Sequence, residues 1–485
     1  MAQAVVEERQ LLKAMRWYDG FVVALANPGF LLGSLGFSIG ALGGWGAMLL
    51  GLAIPAIFLH VKYQPGIQIA AGSTQVGIEL SDLAVLAVAL AAAVAGIRLG
   101  FAPLAPARWL WIFGAGFLAL VLAGTLYPLL GEHDYRFLVH FVTAAKFAEY
   151  GVLAPALPLL LRAERQLQVL LWAIAAWSAA ATVWGLLQFA GLVNELEGRR
   201  PLQREPSFVG IHDFAALSGI ALAVALAVLV LGRPSGAQRA LVAVSGSAGA
   251  VGLVLAAAAA GGIGILLAGL AALVVGYRRH TVTAARAALV VTLGVTPALG
   301  VAVMRNGSIT QFAHFLGLGH ETVNKNDVES YVHRSMLAYI GIRMFADHPA
   351  IGVGWQGSEE LSNYAPYIAD AHRRFPDAPA VSFPSPQHAW GVQNAYLQVL
   401  TDLGIVGLAL LIALFAAGFA LAGRAALRAP PGTARLGLVG LLWLLIAAGV
   451  WNGLGLVAGI PLDAVTWLAF GLAATSAAWM ARVPS

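Results

Sequence analysis

The chain has no cysteine and few charges: Asp, Glu, Lys and Arg together make up 11% of its 485 residues. Without thiols there can be no disulfide, no thiolate metal site and no cysteine nucleophile. The shortage of charge excludes an ordinary soluble domain, in which about a quarter of residues are charged. The start of the chain also lacks a secretory signal's order of basic region, apolar core and small-residue cleavage site. Residues 1–19, with Glu7, Glu8, Arg9, Lys13 and Arg16, read instead as an amphipathic helix at the cytoplasmic membrane surface. What the chain does have is apolar sequence, 60% of residues with a mean hydropathy of +0.81. That composition predicts an all-α polytopic membrane protein. The net charge of +5 comes from arginines in short connections between apolar runs, the positive-inside pattern, so nucleic acid is not an expected partner and membrane lipid is.

Apolar runs of bilayer length fall near 20–59, 80–97, 109–130, 138–161, 168–191, 212–232, 239–258, 261–277, 285–304, 394–423, 436–456 and 460–481. Arg98, Arg108, Arg162, Arg165, Arg233, Arg239, Arg278, Arg279, Arg286, Arg424, Arg428 and Arg435 gather in alternate connections, which assigns that face to the cytoplasm. The loop with Glu132 and Asp134 then falls outside, together with a large polar segment at 304–393. The expected organisation is an N-terminal bundle over 20–303, a large helical extracytoplasmic loop over 304–393 and C-terminal spans over 394–485. Parity requires an odd number of crossings before the large loop. The 20–59 run therefore counts once, or twice with the weakly apolar 66–78 stretch as a further crossing. About twelve spans follow from the first option, the preferred one, and about fourteen from the second.

Two polar regions stand out. The loop near 192–211 holds Arg199, Arg200 and Arg204 beside Glu195, Glu197 and Glu205. Three arginines in a short external loop oppose the insertion bias. Either they pair with the glutamates, or their planar forks form an anion site suited to phosphate oxygens. The large segment runs from Arg334 through Phe345-Ala346-Asp347-His348-Pro349-Ala350-Ile351-Gly352-Val353-Gly354 to Asn394-Ala395-Tyr396-Leu397 and Leu403-Gly404-Ile405-Val406-Gly407. His348-Pro349 with the two following glycines reads as a helix end and a tight turn. The four prolines from Phe375 to Pro386 forbid regular helix and predict a flap. The spacing of His, Asp and Glu gives no metal cage, and no cofactor is expected. Within the 138–161 span, Lys146 and Glu149 share a helix face and read as an ion pair or as part of a proton or headgroup path.

The ordered set from Arg334 to Gly407 resembles the O-antigen ligase and polymerase family of bacterial envelope glycosyltransferases. Weaker support comes from Arg204-Glu205-Pro206-Ser207-Phe208 before a span and from Ser81-Asp82-Leu83 opening an early one. The resemblance implies a GT-C-like, metal-independent enzyme of the cytoplasmic membrane. It would move a glycan from an undecaprenyl-diphosphate carrier to a glycan, lipid or protein acceptor on the outer face. Arg204 matches the family's arginine before the short turn and would bind the diphosphate, with Arg200 and Arg334 assisting. Arg334 could equally pair with Glu329 or Asp327. Asn394 matches a polar helix start that could cap amides or contact a sugar.

Two positions depart from the family pattern. Its histidine before the Asn-x-x-Leu start is Gln393 here, which cannot act as a base, and its middle arginine aligns with Ala260. His388 is the nearest substitute base, ahead of His372, His333 and His320. Besides a glycan ligase or polymerase, two competitors remain. One is a non-catalytic family member within an envelope glycan assembly complex. The other is a solute or lipid transporter, which should show internal repeats that this sequence lacks.

Overall fold

The computed structural model describes residues 45–71, 74–130, 135–194, 196–232, 235–306, 329–376, 378 and 380–482. The amphipathic start, residues 20–44 of the first apolar run, and His320 and Asp327 lie outside them.

Backbone amides and carbonyls inside lipid must bond within their own segment, so long apolar runs become helices. In chain order these are α1 (Trp45–Ile57), α2 (Leu80–Leu99), α3 (Arg108–Ala123), α4 (Phe137–Gly151), α5 (Leu153–Leu160), α6 (Glu164–Phe189), α7 (Ile211–Leu231), α8 (Gly236–Ala256), α9 (Ala259–Arg278) and α10 (Ala284–Met304). The loop helices are α11 (Glu329–Asp347) and α12 (Leu361–Arg374), and the chain closes with α13 (Ala395–Arg428), α14 (Pro431–Val450) and α15 (Pro461–Met480). Ten helical segments among the described residues are long and apolar enough to cross a membrane. α15 fills the place of the last expected span, and α1 lies within the first.

Burial ranks these helices. The apolar window of α7 is 94% buried against 28% for α2 and 22% for α10, so α7 is a central post and the other two face lipid. Small residues let its neighbours approach: a Cβ on Gly249 of α8 would lie 2.6 Å from the Ser218 carbonyl of α7.

The 66–78 stretch is not a further crossing. It forms an antiparallel hairpin, β1 (Gly66–Ala71) with β2 (Thr74–Glu79), in register from Gly66↔Glu79 to Ala71↔Thr74. Two six-residue runs with branched residues at alternating positions (Ile67, Ile69; Val76, Ile78) are too short for a spanning helix and suit strands. Pairing Gly66 with Glu79 returns the chain to the face on which α1 ended, which favours the first parity option.

Lys146 is not paired with Glu149. Its Nζ reaches from α4 to the first turn of α2, 3.3 Å from Asp82 and 3.8 Å from Glu79. The Ser81-Asp82-Leu83 motif therefore supplies the counter-charge that an intramembrane lysine requires.

The large loop has a small core of its own, made by Met336, Ile340, Met344, Val353, Tyr364, Ala371 and Phe383. It is joined to the bundle by a backbone exchange. At Gly404 (φ 64, ψ −165) α13 leaves helical geometry. In a regular helix the Ile405 amide would bond to the Thr401 carbonyl, and Val406 to Asp402. Here Ile405 N donates to Pro349 O (2.9 Å) and Val406 N to Ala350 O (3.3 Å). The released carbonyls are taken by Val353 N on Thr401 O (3.1 Å) and Gly354 N on Asp402 O (2.8 Å). The Asp402 carboxylate accepts from Ser358 N (3.0 Å) and from Gln398 Nε2 (3.2 Å). The His348–Gly354 turn and the Leu403–Gly407 motif are thus two halves of one joint.

The loop also sits on α3 and α4. Trp355 N donates to Gly124 O (3.0 Å), Trp355 Nε1 to Thr143 Oγ1 (2.9 Å) and Tyr127 OH to Gly352 O (2.9 Å). Glu360 takes Arg136 at 2.9 Å and lies 2.5 Å from His140 Nε2.

Candidate functional site

Residues 196–210 connect α6 to the central post α7 and are pinned at several points. Glu205 N donates to Leu255 O (2.8 Å), Ser207 Oγ to Ala181 O (2.7 Å) and Gln188 Nε2 to Ser207 O (3.2 Å). Phe208 packs against Trp177, with ring centroids 4.9 Å apart. Ser207 holds φ 56 and Gly210 φ 108, values at which a non-glycine residue such as Ser207 is strained. This turn aims Arg204 inward. Glu197 is spent locally, its Oε1 accepting the Ile211 amide at the start of α7 (3.2 Å). Among the described residues no carboxylate lies within ion-pairing distance of Arg199, Arg200 or Arg204. Among the described residues the ion-paired reading of this loop therefore has no salt bridge behind it; Glu195 lies outside them.

At the centre is His212, the second residue of α7. Four guanidinium charges act on it, those of Arg334, Arg204, Arg305 and Arg199. They come from three parts of the chain: the 196–210 connection, the end of α10 and α11. The His212 Nδ1 is buried and has no hydrogen-bond partner. Arg334 donates to Gly453 O at 2.8 Å. A Cβ on Gly453 would fall 3.0 Å from Ala260 Cβ and 3.5 Å from His212 Cε1. The position of the family's missing middle arginine, Ala260, is thus inside this cluster, and Arg305 and Arg199 supply positive charge around it. Burial first, then the charges of Arg199, Arg305 and Arg334, pulls the Arg204 guanidinium down to about 10. It stays protonated at neutral pH. Like charges held together out of water favour an anion among them.

Asn394 extends the cluster. Its Oδ1 accepts Leu397 N (3.0 Å) and caps α13, while Nδ2 donates to Asn452 O (3.2 Å), one residue before Gly453. Gln393 precedes it, half-buried. Of the residues expected from sequence, Arg204, Arg334 and Asn394 are brought together. Arg200 is exposed, and its neighbour Arg199 is the one whose charge reaches His212. His388 lies exposed on a one-turn hairpin bonded both ways to Ser385 (3.0 Å each). Its ring stacks on Trp390 at 5.8 Å, and Trp390 meets His333 nearly perpendicularly at 5.2 Å.

Sequence reasoning missed His212 and Arg305, and it named Arg199 only as one of three arginines in the 192–211 loop. Arg305 did carry a signal: it follows a span on the face where the positive-inside bias disfavours arginine.

Fold and site together define a polytopic membrane protein with a cluster of arginine charges beside its large loop. The family model described as O-antigen ligase matches residues 244–412, from within α8 to the middle of α13. Over that part of its length the chain is similar to the O-antigen ligase family, which supports a glycan ligase or polymerase type of role. A comparison with curated proteins finds no match.

Proposed function

We propose that the protein takes a glycan from an undecaprenyl-diphosphate-linked donor and joins it to a glycan, lipid or protein acceptor. The reaction takes place at the outer face of the bacterial cytoplasmic membrane, where the large loop stands. The observation that carries this reading is that the charges of Arg199, Arg204, Arg305 and Arg334 all act on His212, whose buried Nδ1 has no hydrogen-bond partner. A diphosphate has oxygens enough to satisfy several guanidinium forks at once. When the sugar leaves, negative charge grows on the bridging phosphate oxygen, and fixed cations in a site screened from water stabilise that change. Gln393 and Asn394, one step along the chain of contacts through Asn452 and Gly453, stand where an acceptor sugar would meet the donor. The donor's polyprenyl tail stays in the lipid beside the bundle.

Arg204→Ala tests this. Glycan transfer is expected to fall by about 100-fold or more, with expression and thermal stability retained. Gln393 and Ala260 favour one competing reading, a non-catalytic member of a glycan assembly complex. That reading expects the Arg204→Ala strain to keep the wild-type phenotype, so retained transfer would sink the assignment made here.

A further inference from the structure

Transfer to a hydroxyl also needs a group to take its proton. We infer that His333 is that group, an inference that rests on the arginine cluster being the donor site. His333 immediately precedes Arg334 on α11, so the guanidinium that reaches Gly453 and the imidazole share one helix turn. The ring is half-buried and its Nε2 is buried without a hydrogen-bond partner. A buried polar atom left open in this way marks a place where a ligand group can bond. Trp390 packs nearly perpendicular to the ring at 5.2 Å, and His388 stacks on Trp390 at 5.8 Å. The three rings form an aromatic ledge beside Arg334, a surface on which the apolar face of a sugar ring can rest while a hydroxyl turns to the imidazole.

Burial first, then the Arg334 charge, lowers the His333 pKa, which leaves the ring neutral and able to accept a proton at neutral pH. Among the described residues Arg334 is the one charge acting on it; His388 reaches it only through Trp390. His388 itself is exposed, and His212 lies among the guanidiniums at the leaving-group end. In the step, His333 Nε2 takes the proton from the acceptor O–H, and that oxygen's electron pair forms the bond to the anomeric carbon. The bond from that carbon to the diphosphate breaks, and its electrons go to the phosphate oxygen held by Arg204 and Arg334. The imidazolium then returns its proton to water.

The experiment places the full-length protein in proteoliposomes with lipid-linked glycans extracted from the producing bacterium's own membranes. Glycan transfer is followed against pH, and thermal unfolding is followed with and without inorganic pyrophosphate. His333→Gln is expected to lower transfer about 100-fold or more and to remove the acid limb of the pH profile, while keeping the pyrophosphate-induced rise in unfolding temperature. Added imidazole is expected to restore part of the rate to His333→Ala, which repair of a merely structural loss would not do. If wild-type protein neither transfers glycan nor responds to pyrophosphate, the donor-site reading itself fails. If it does both and His333→Gln keeps its rate, or the loss falls on His388→Gln instead, the inference about His333 alone is overturned.

Discussion

At the scale of single residues, the sharpest constraint is Gly404. Its φ of +64 belongs to glycine, and a Cβ there would lie 2.3 Å from the Ala350 carbonyl oxygen. Gly423, farther along the same helix, has open space around its Cβ position. Gly404→Ala should therefore destabilise by on the order of 3 kcal/mol or more, and Gly423→Ala should be neutral or slightly stabilising. Thermal unfolding of the two variants in detergent gives the comparison. Equal midpoints would mean that the joint between loop and bundle yields more easily than its geometry implies. Residues differed in how readable they were. Arg204, Arg334 and Asn394 sit in short patterns with fixed local roles (a turn, a helix start, a cap), and such patterns survive in one dimension. His212, Arg199 and Arg305 meet only because α7, α10 and the 196–210 connection are packed together. No local spacing records that meeting.

Among elements, the contact between α4 and the start of α12 is the one that pH should loosen. Burial opposes ionisation of Glu360, but hydrogen bonds from His140 and Arg136, together with their charges, outweigh it and hold the carboxyl below its ordinary range. A carboxylate depressed in the folded state adds stability above the unfolded value of about 4.3, and that stability is lost as pH falls through the lower folded value. Protection of the α12 amides, taken relative to the intrinsic exchange rate at each pH, should therefore fall as the medium is acidified below about pH 4.3. Glu360→Gln should show faster exchange already at neutral pH, by roughly 2 kcal/mol, and little further change with acid. An identical pH response in the two proteins would remove Glu360 from the clasp. Spans were the most legible elements, because an apolar run of bilayer length has almost no alternative to a helix. The β1–β2 hairpin was not legible as such. Its strands of six residues are shorter than the window in which hydropathy speaks, and a weak apolar average could stand for either form. Lys146 was misassigned for a related reason. Spacing along α4 offered Glu149, while the nearer carboxylates lay across the bundle on α2.

For the whole molecule, the two faces differ in charge pattern and in what they carry, and this can be read directly in cells. The chain has no cysteine, so a single introduced thiol reports its own side. Gln387 is exposed on the loop and Ala237 at the start of α8, and the positive-inside pattern predicts opposite sides of the membrane for them. A membrane-impermeant maleimide should label Gln387→Cys in intact spheroplasts and Ala237→Cys only after lysis. The reverse pattern would place the loop and its arginine cluster in the cytoplasm and contradict the proposed reaction.

The exchange of backbone bonds at Gly404 also bears on inheritance. Because the turn at 348–354 takes over the bonds that α13 gives up, residues 393–403 are fixed to the loop as firmly as to the spanning helix that follows. Gln393 and Asn394 therefore belong to the cap as a unit of replacement, and the bundle below can keep its packing while that unit is rewritten. A scan that recognises the His-Pro-x-x-Gly-x-Gly and Leu-Gly-x-x-Gly patterns is recognising carpentry. Lineages can share the joint and still differ in the tool it holds.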